Sequence, residues 1–270
     1  MTRLMRGLLV VASVLGGIAF LQLFFGTERT DRYFAWTIEP PLTAAFLGAT
    51  YGTAVVLLLL SSRRRTWAEA RIGVLGVFVL TTLVLVAILL HHERFHLGSD
   101  SVVTFAGTWA FVCTYFVLPP ALMVAILHQR RVGGADSPRL ARLPAWYRLA
   151  LGFEGAVMVA VGGALVIAPT WANALWPWHL TELTGRAVGA FVFATGVAAG
   201  LAVWEDDWIR IEAAAASYAV LGVLQGVALL RYPSEPDWSG PQTWIYVGFI
   251  LTLPALGLYG WLEARRAATQ

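Results

Sequence analysis

The sequence predicts an all-α membrane protein: a polytopic bundle of eight transmembrane helices, arranged as two tandem four-helix repeats of the same orientation. Three observations carry that prediction. The 270 residues are 58% apolar and only 13% charged, with a mean hydropathy of +0.69, whereas a soluble domain carries about 25% charged residues. Eight apolar stretches are each long enough to cross roughly 30 Å of hydrocarbon at about 1.5 Å per residue. The second half also repeats positions of the first at a nearly constant offset.

The spans fall near 7–25, 42–61, 72–91, 102–127, 149–168, 183–203, 211–230 and 242–262. The first follows Arg3 and Arg6 like a secretory signal, but no small-x-small cleavage site comes after it, so it reads as a retained helix. The second carries Gly48 and Gly52, a small-xxx-small pair that lets backbones approach. The third ends on His91 and His92. The fourth contains Pro119 and closes on His128 and Arg130-Arg131. The fifth begins beside Arg148 and holds Glu154 about one and a half turns inside. The sixth opens with Glu182 and Arg186, carries Gly185, Gly189, Gly196 and Gly200, and ends at the acidic WEDDW of residues 204–208. The seventh contains Gly222, Gln225 and Gly226. The eighth contains Pro254 and closes on Arg265-Arg266.

All nineteen basic residues are arginine. Counted on the N-terminus, the even-numbered loops and the C-terminus they number 14, against 5 on the other side. That asymmetry predicts both termini in the cytoplasm, with the basic face against anionic lipid headgroups. The arginine-free loop PTWANALWPWHLTE would then face outward, with Trp171, Trp176 and Trp178 in a headgroup-level aromatic belt. Arginines beside apolar spans, rather than on one soluble face, do not point to nucleic acid. Without lysine no Schiff base can form on a side chain. A single cysteine, Cys113, excludes an intrachain disulfide.

A shift of 141 residues aligns Leu42-Thr43 with Leu183-Thr184, Gly48-Ala49 with Gly189-Ala190, Trp67 with Trp208 and Val79-Leu80 with Val220-Leu221. A shift of 135 then aligns Trp109 with Trp244, Leu118-Pro119 with Leu253-Pro254 and Arg130-Arg131 with Arg265-Arg266. The predicted units are residues 1–131 and 147–270, joined by a cytoplasmic linker at 132–146. Each unit crosses an even number of times, so the two would share one orientation about a pseudo-two-fold axis along the membrane normal. Pro119 and Pro254, at matching depths, each remove a backbone donor and predict a kink or hinge.

The polar residues offer few sites. His91, His92 and His96 stand at the outer end of the third span. His92 and His96 have metal-ligand spacing if the helix continues, with His179 on the same side as a further ligand. The plainer reading is a set of polar helix-end anchors. His128 lies at the opposite end, which excludes pairing it with them as axial ligands of one haem iron. No aspartate falls within a span, so protease chemistry with paired intramembrane aspartates is excluded. Glu154 is the deepest carboxylate and a functional candidate by default, balanced against the helix dipole or Arg148 as structural partners. Glu182 and Arg186 are spaced to pair on one helix face. Gln225 is expected to bond between helices. WEDDW suits magnesium and a diphosphate only with a second charged set, which is lacking. In the 141 register Glu205 and Asp206 correspond to Arg64 and Arg65, so loops of opposite sign could pair between halves or between copies.

The stretch FAWTIEPPLTAAFLGATYGTAVVLLLL, with LLHHERFH and LPPALMV, resembles uncharacterised multi-pass membrane proteins of GC-rich bacteria. The resemblance implies a membrane bundle in the plasma (inner) membrane of a bacterium and no established activity. No nucleophile elbow, phosphate loop or zinc-spaced cysteine set appears, so the sequence gives no ground for an enzyme and none for a cofactor. The favoured role is transport of an apolar or lipid-like solute. The alternatives are a non-catalytic scaffold or assembly subunit, with a homo-oligomer as one form of it, and an outward-facing metal or haem protein.

Overall fold

The computed structural model describes residues 1–132, 136 and 138–269. Its eight long helices are α1 (Arg3–Phe25), α2 (Pro41–Ser62), α3 (Trp67–Leu90), α4 (Val102–Val132), α5 (Ala145–Ile167), α6 (Glu182–Glu205), α7 (Trp208–Arg231) and α8 (Pro241–Ala267). Single-turn helices at Thr30–Tyr33 and Pro169–Ala172 lie in the α1–α2 and α5–α6 connections, and no strand occurs among the described residues. All eight long helices are long and apolar enough to cross a membrane. Part of the expected linker, residues 133–135 and 137, lies outside the described residues.

Most helices outrun their apolar stretches at the arginine-rich end. α3 begins at Trp67 rather than 72, α4 reaches Val132 rather than 127, and α8 reaches Ala267 rather than 262. Hydropathy registers only the part that suits hydrocarbon, whereas backbone hydrogen bonding carries the helix on through residues whose long side chains reach water. The starts are capped locally. The Thr66 hydroxyl accepts from the Glu69 amide at the head of α3, and the Asp207 carboxylate accepts from the amides of Ile209 and Arg210 at the head of α7. Thr2 and Thr181 cap α1 and α6, while α2 and α8 open with proline, whose missing N–H costs nothing there.

Helices pack as tight antiparallel pairs: α1 on α2, α5 on α6 and α7 on α8, with α3 and α4 in looser contact. Glycine sets the closest approaches. A methyl added to Gly48 would stand 2.5 Å from the Phe24 amide nitrogen, and one on Gly189 would stand 2.7 Å from the Leu165 Cβ. Pro254 sits in the notch left by Gly222, inside α8 without ending it, as Pro119 sits inside α4. Between the halves α2 lies on α7 and α3 on α6, so these four helices form the centre. By contrast α1 meets α4, and α5 meets α8, only sparsely. The central helices are correspondingly the more buried, α2 at 67% of its apolar window against 22% for α8.

Both termini gather at one end of the bundle. The Met1 ammonium donates to the Arg65 carbonyl at 2.9 Å, the Thr2 amide to Gln129 Oε1 at 2.7 Å, and Arg265 lies beside Glu212. Here the stretch before α5 is pinned to the α6–α7 turn. Asp207 Oδ2 accepts from the amides of Leu140 and Ala141, and Asp206 Oδ1 from that of Leu143. Asp206 holds φ at 46°, a left-handed conformation that aspartate tolerates better than most residues.

The opposite end differs from the aromatic belt expected of it. Trp171 is exposed, but Trp176 and Trp178 are buried against Phe46 and Tyr246. Trp178 Nε1 donates to Thr43 Oγ1 at 2.8 Å. Folding the α5–α6 connection over α2 and α8 makes these two rings core instead of headgroup anchors.

Candidate functional site

The histidines do not converge. α3 ends at Leu90 and is followed by the 3-10 turn His92–Arg94, so His92 and His96 share no helical face. His91 is buried and takes a hydrogen bond at 2.5 Å from Arg186 Nη1 on its Nε2. Burial, then the neighbouring guanidinium, lowers its pKa. His96 is used by the Phe34 carbonyl and Thr37, and His179 lies beside Asn173. His92 is exposed, near Glu93. Among the described residues no three His, Cys, Asp or Glu side chains are grouped to hold one ion. Arg186 is shared between His91 and Glu182, whose carboxylate is the looser partner at 3.9 Å.

Glu154 is buried in α5 and accepts from Tyr218 Oη of α7 at 2.7 Å; Arg148 pairs instead with Asp206 at 3.2 Å. Gln225 bridges helices: its Nε2 donates to the Phe46 carbonyl of α2 at 3.2 Å, and its Oε1 accepts from Tyr246 of α8 at 3.1 Å.

Gln225 and Tyr246 also border a cavity of about 380 Å³ between α5, α6, α7 and α8, touched by Phe46 and Thr50 of α2. Ligand pockets begin at about 300 Å³. Val157 and Val161 of α5 face Ile245 and Phe249 of α8 across it, behind the seam where those helices barely touch. A second cavity of about 130 Å³ lies between α1, α2, α3 and α4. Tyr51 and Tyr115 stand in its wall with their hydroxyls 2.6 Å apart. At the aligned positions the larger cavity has Val192 and Ile250. Between the halves lies a void of about 90 Å³.

Charges gather at the arginine-rich end. Glu205 is fully buried and accepts from Arg71 Nε at 2.5 Å and Arg210 Nη1 at 2.8 Å. Glu212 takes Arg64 at 2.7 Å and Arg265 at 3.4 Å. Arg71 also reaches Asp136 and lies over the Trp204 ring. Loops of opposite sign thus do meet across the halves, but each through the next helix: Arg64 finds Glu212, and Glu205 finds Arg71. Reading loop against loop missed Arg71 and Glu212. The signal was available, since 141 residues separate Arg64 from Glu205 and Arg71 from Glu212 alike.

The class these features define is a helical bundle with eight apolar helices of membrane-crossing length, compatible with a multi-pass membrane protein. No protein-family model, curated protein or solved structure matches the chain.

Proposed function

We propose that the chain is an integral membrane protein that takes an apolar, lipid-like solute from the bilayer and carries it in the cavity of its second half. The observation that carries this reading is the cavity of about 380 Å³ behind the α5–α8 seam. Its wall is mostly apolar, with Gln225, Gln242, Tyr246 and Trp176 toward one end and two threonines farther in whose hydroxyls donate to their own helices, as expected of a site that shelters hydrocarbon. The helices beside the seam would face lipid, so a solute would enter sideways without crossing water.

The proposed frame is two tandem quartets in the same orientation, with arginine-rich ends and both termini in the cytoplasm of a bacterial plasma membrane. Four correspondences support the tandem arrangement. Helix contacts of the first half recur in the second, α1–α2 as α5–α6 and α2–α7 as α6–α3. Gly48 against Phe24 recurs as Gly189 against Leu165, every residue displaced by 141. The N-caps Thr66 and Asp207 stand at the same spacing. So do the crossed ion pairs.

The test is transbilayer movement in vesicles reconstituted with the protein, followed by dithionite bleaching of an NBD-tagged acyl lipid. The expected result is bleaching beyond the outer-leaflet fraction, lost in Val192→Tyr with Ile250→Tyr, which copies the filled cavity of the first half. No movement above protein-free vesicles would reject carriage. It would leave the scaffold, which the small void between the halves and their ion-paired end favour.

A further inference from the structure

The cavity also carries information about the shape and chemistry of its occupant. Along α8 its wall runs from Pro241 and Gln242 at the first turn to Leu253. That is about 18 Å at about 1.5 Å per residue. Half of a hydrocarbon core of about 30 Å is about 15 Å. The cavity therefore has the depth of a single leaflet, the one on the side away from the arginine-rich end.

Its polarity is graded along that length. Gln225, Gln242, Tyr246 and Trp176 are near the end where α8 begins; farther in are Met158, Ile250 and Leu253, with Thr50 and Thr195, whose hydroxyls already donate to the Leu47 and Phe191 carbonyls of their own helices. Among the polar groups in this wall, Trp176 Nε1 is buried and has no acceptor among the described residues. A buried donor without a partner is costly, and a site left so is completed by a ligand that supplies the acceptor.

We propose that this cavity is a binding site for a single-chain amphiphile of the outer leaflet, its one chain lying between α5 and α8 and a carbonyl or carboxylate at its head accepting from Trp176. This rests on the reading that the cavity shelters an apolar solute, and it adds a chain number, a polarity and a direction. A two-chain lipid does not match the shape: about 380 Å³ lies near the lower limit of ligand pockets.

The experiment compares two photoactivatable probes on protein in lipid nanodiscs: a palmitic acid with a mid-chain diazirine, and a hexadecane with the same diazirine and no head. Labelled peptides are mapped by mass spectrometry. The acid is expected to label the α5 and α8 segments around Val157–Val161 and Ile245–Phe249 in preference to the alkane. Trp176→Phe should lower the acid-to-alkane ratio about threefold to tenfold, the worth of one neutral hydrogen bond. Val161→Trp should block both probes, and it serves as a second occlusion should the tyrosine pair fail to fold. If the alkane labels these segments as well as the acid does, or Trp176→Phe leaves the ratio unchanged, the amphiphile is rejected while an apolar site stands. If neither probe labels them in folded protein, the cavity reading itself fails.

Discussion

Arg64 and Glu212 meet at 2.7 Å across the junction of the two halves, and Glu205 and Arg71 repeat that contact with the signs exchanged. Each member of one pair is 141 residues from a member of the other. Both basic members belong to the first half and both acidic members to the second.

Reversing one charge should therefore be damaging and reversing two less so. Arg64→Glu sets two carboxylates together in a mostly buried place, and it should cost about 2–4 kcal/mol, near the range for breaking a buried pair. Arg64→Glu with Glu212→Arg should recover part of that, and more of it when Arg265→Gln removes the guanidinium that would face the new arginine. The check is the unfolding midpoint in detergent; with Arg265→Gln as the background, a double variant as unstable as the single would show that the contact contributes nothing.

Gly48 and Gly189 should respond alike to substitution. Alanine at either forces apart helices whose backbones are in contact, at about 1–3 kcal/mol. Alanine at Gly7, whose added methyl meets nothing within 4 Å, should be neutral or slightly stabilising. Equal losses at the first two positions, read from thermal melts, would support duplicated packing; a loss at one alone would count against it.

His91 should make the protein acid-sensitive. Its pKa is lowered in the folded protein, first by burial and then by Arg186, so between that value and the ordinary value of about 6.5 the unfolded chain binds the extra proton. Stability contributed by the neutral ring is complete above about pH 6.5 and declines as the pH falls below it. A midpoint-against-pH curve should steepen there in the native protein and flatten in His91→Gln. Parallel curves for the two would refute this.

Tyr218→Phe strips Glu154 of its hydrogen-bond donor and should cost about 1–3 kcal/mol, because a buried acceptor is left unsatisfied. Tyr218→Phe with Glu154→Met removes both polar partners and should restore most of the loss. If Glu154 instead takes part in carriage, the double variant will fold well and fail to move lipid, so both readouts belong in one experiment.

The eight helices were legible because hydrocarbon sets a minimum length and tolerates few charges, a constraint that acts within each stretch of chain. The cavity was not. Val192 and Ile250 stand in its wall, at the positions aligned with Tyr51 and Tyr115 of the smaller cavity, a difference that acquires meaning only once α6 and α8 are known to border one cavity. Gln225 was expected to bridge helices, and it does. The outer histidines misled because His92 and His96 look like ligands only on a continuous helix, and α3 stops at Leu90. Trp176 and Trp178 resembled headgroup anchors because nothing local indicates that their loop folds inward.

The division of sign between Arg64 and Arg71 on one side and Glu205 and Glu212 on the other also governs how a newborn chain finds its form. While only the first four helices have been made, Arg64 and Arg71 lack the carboxylates that Glu212 and Glu205 supply, and that end of the quartet carries eight arginines against one carboxylate, Glu69. Two such ends carry like net charge, which opposes their pairing with each other and favours pairing with the complementary quartet of the same polypeptide.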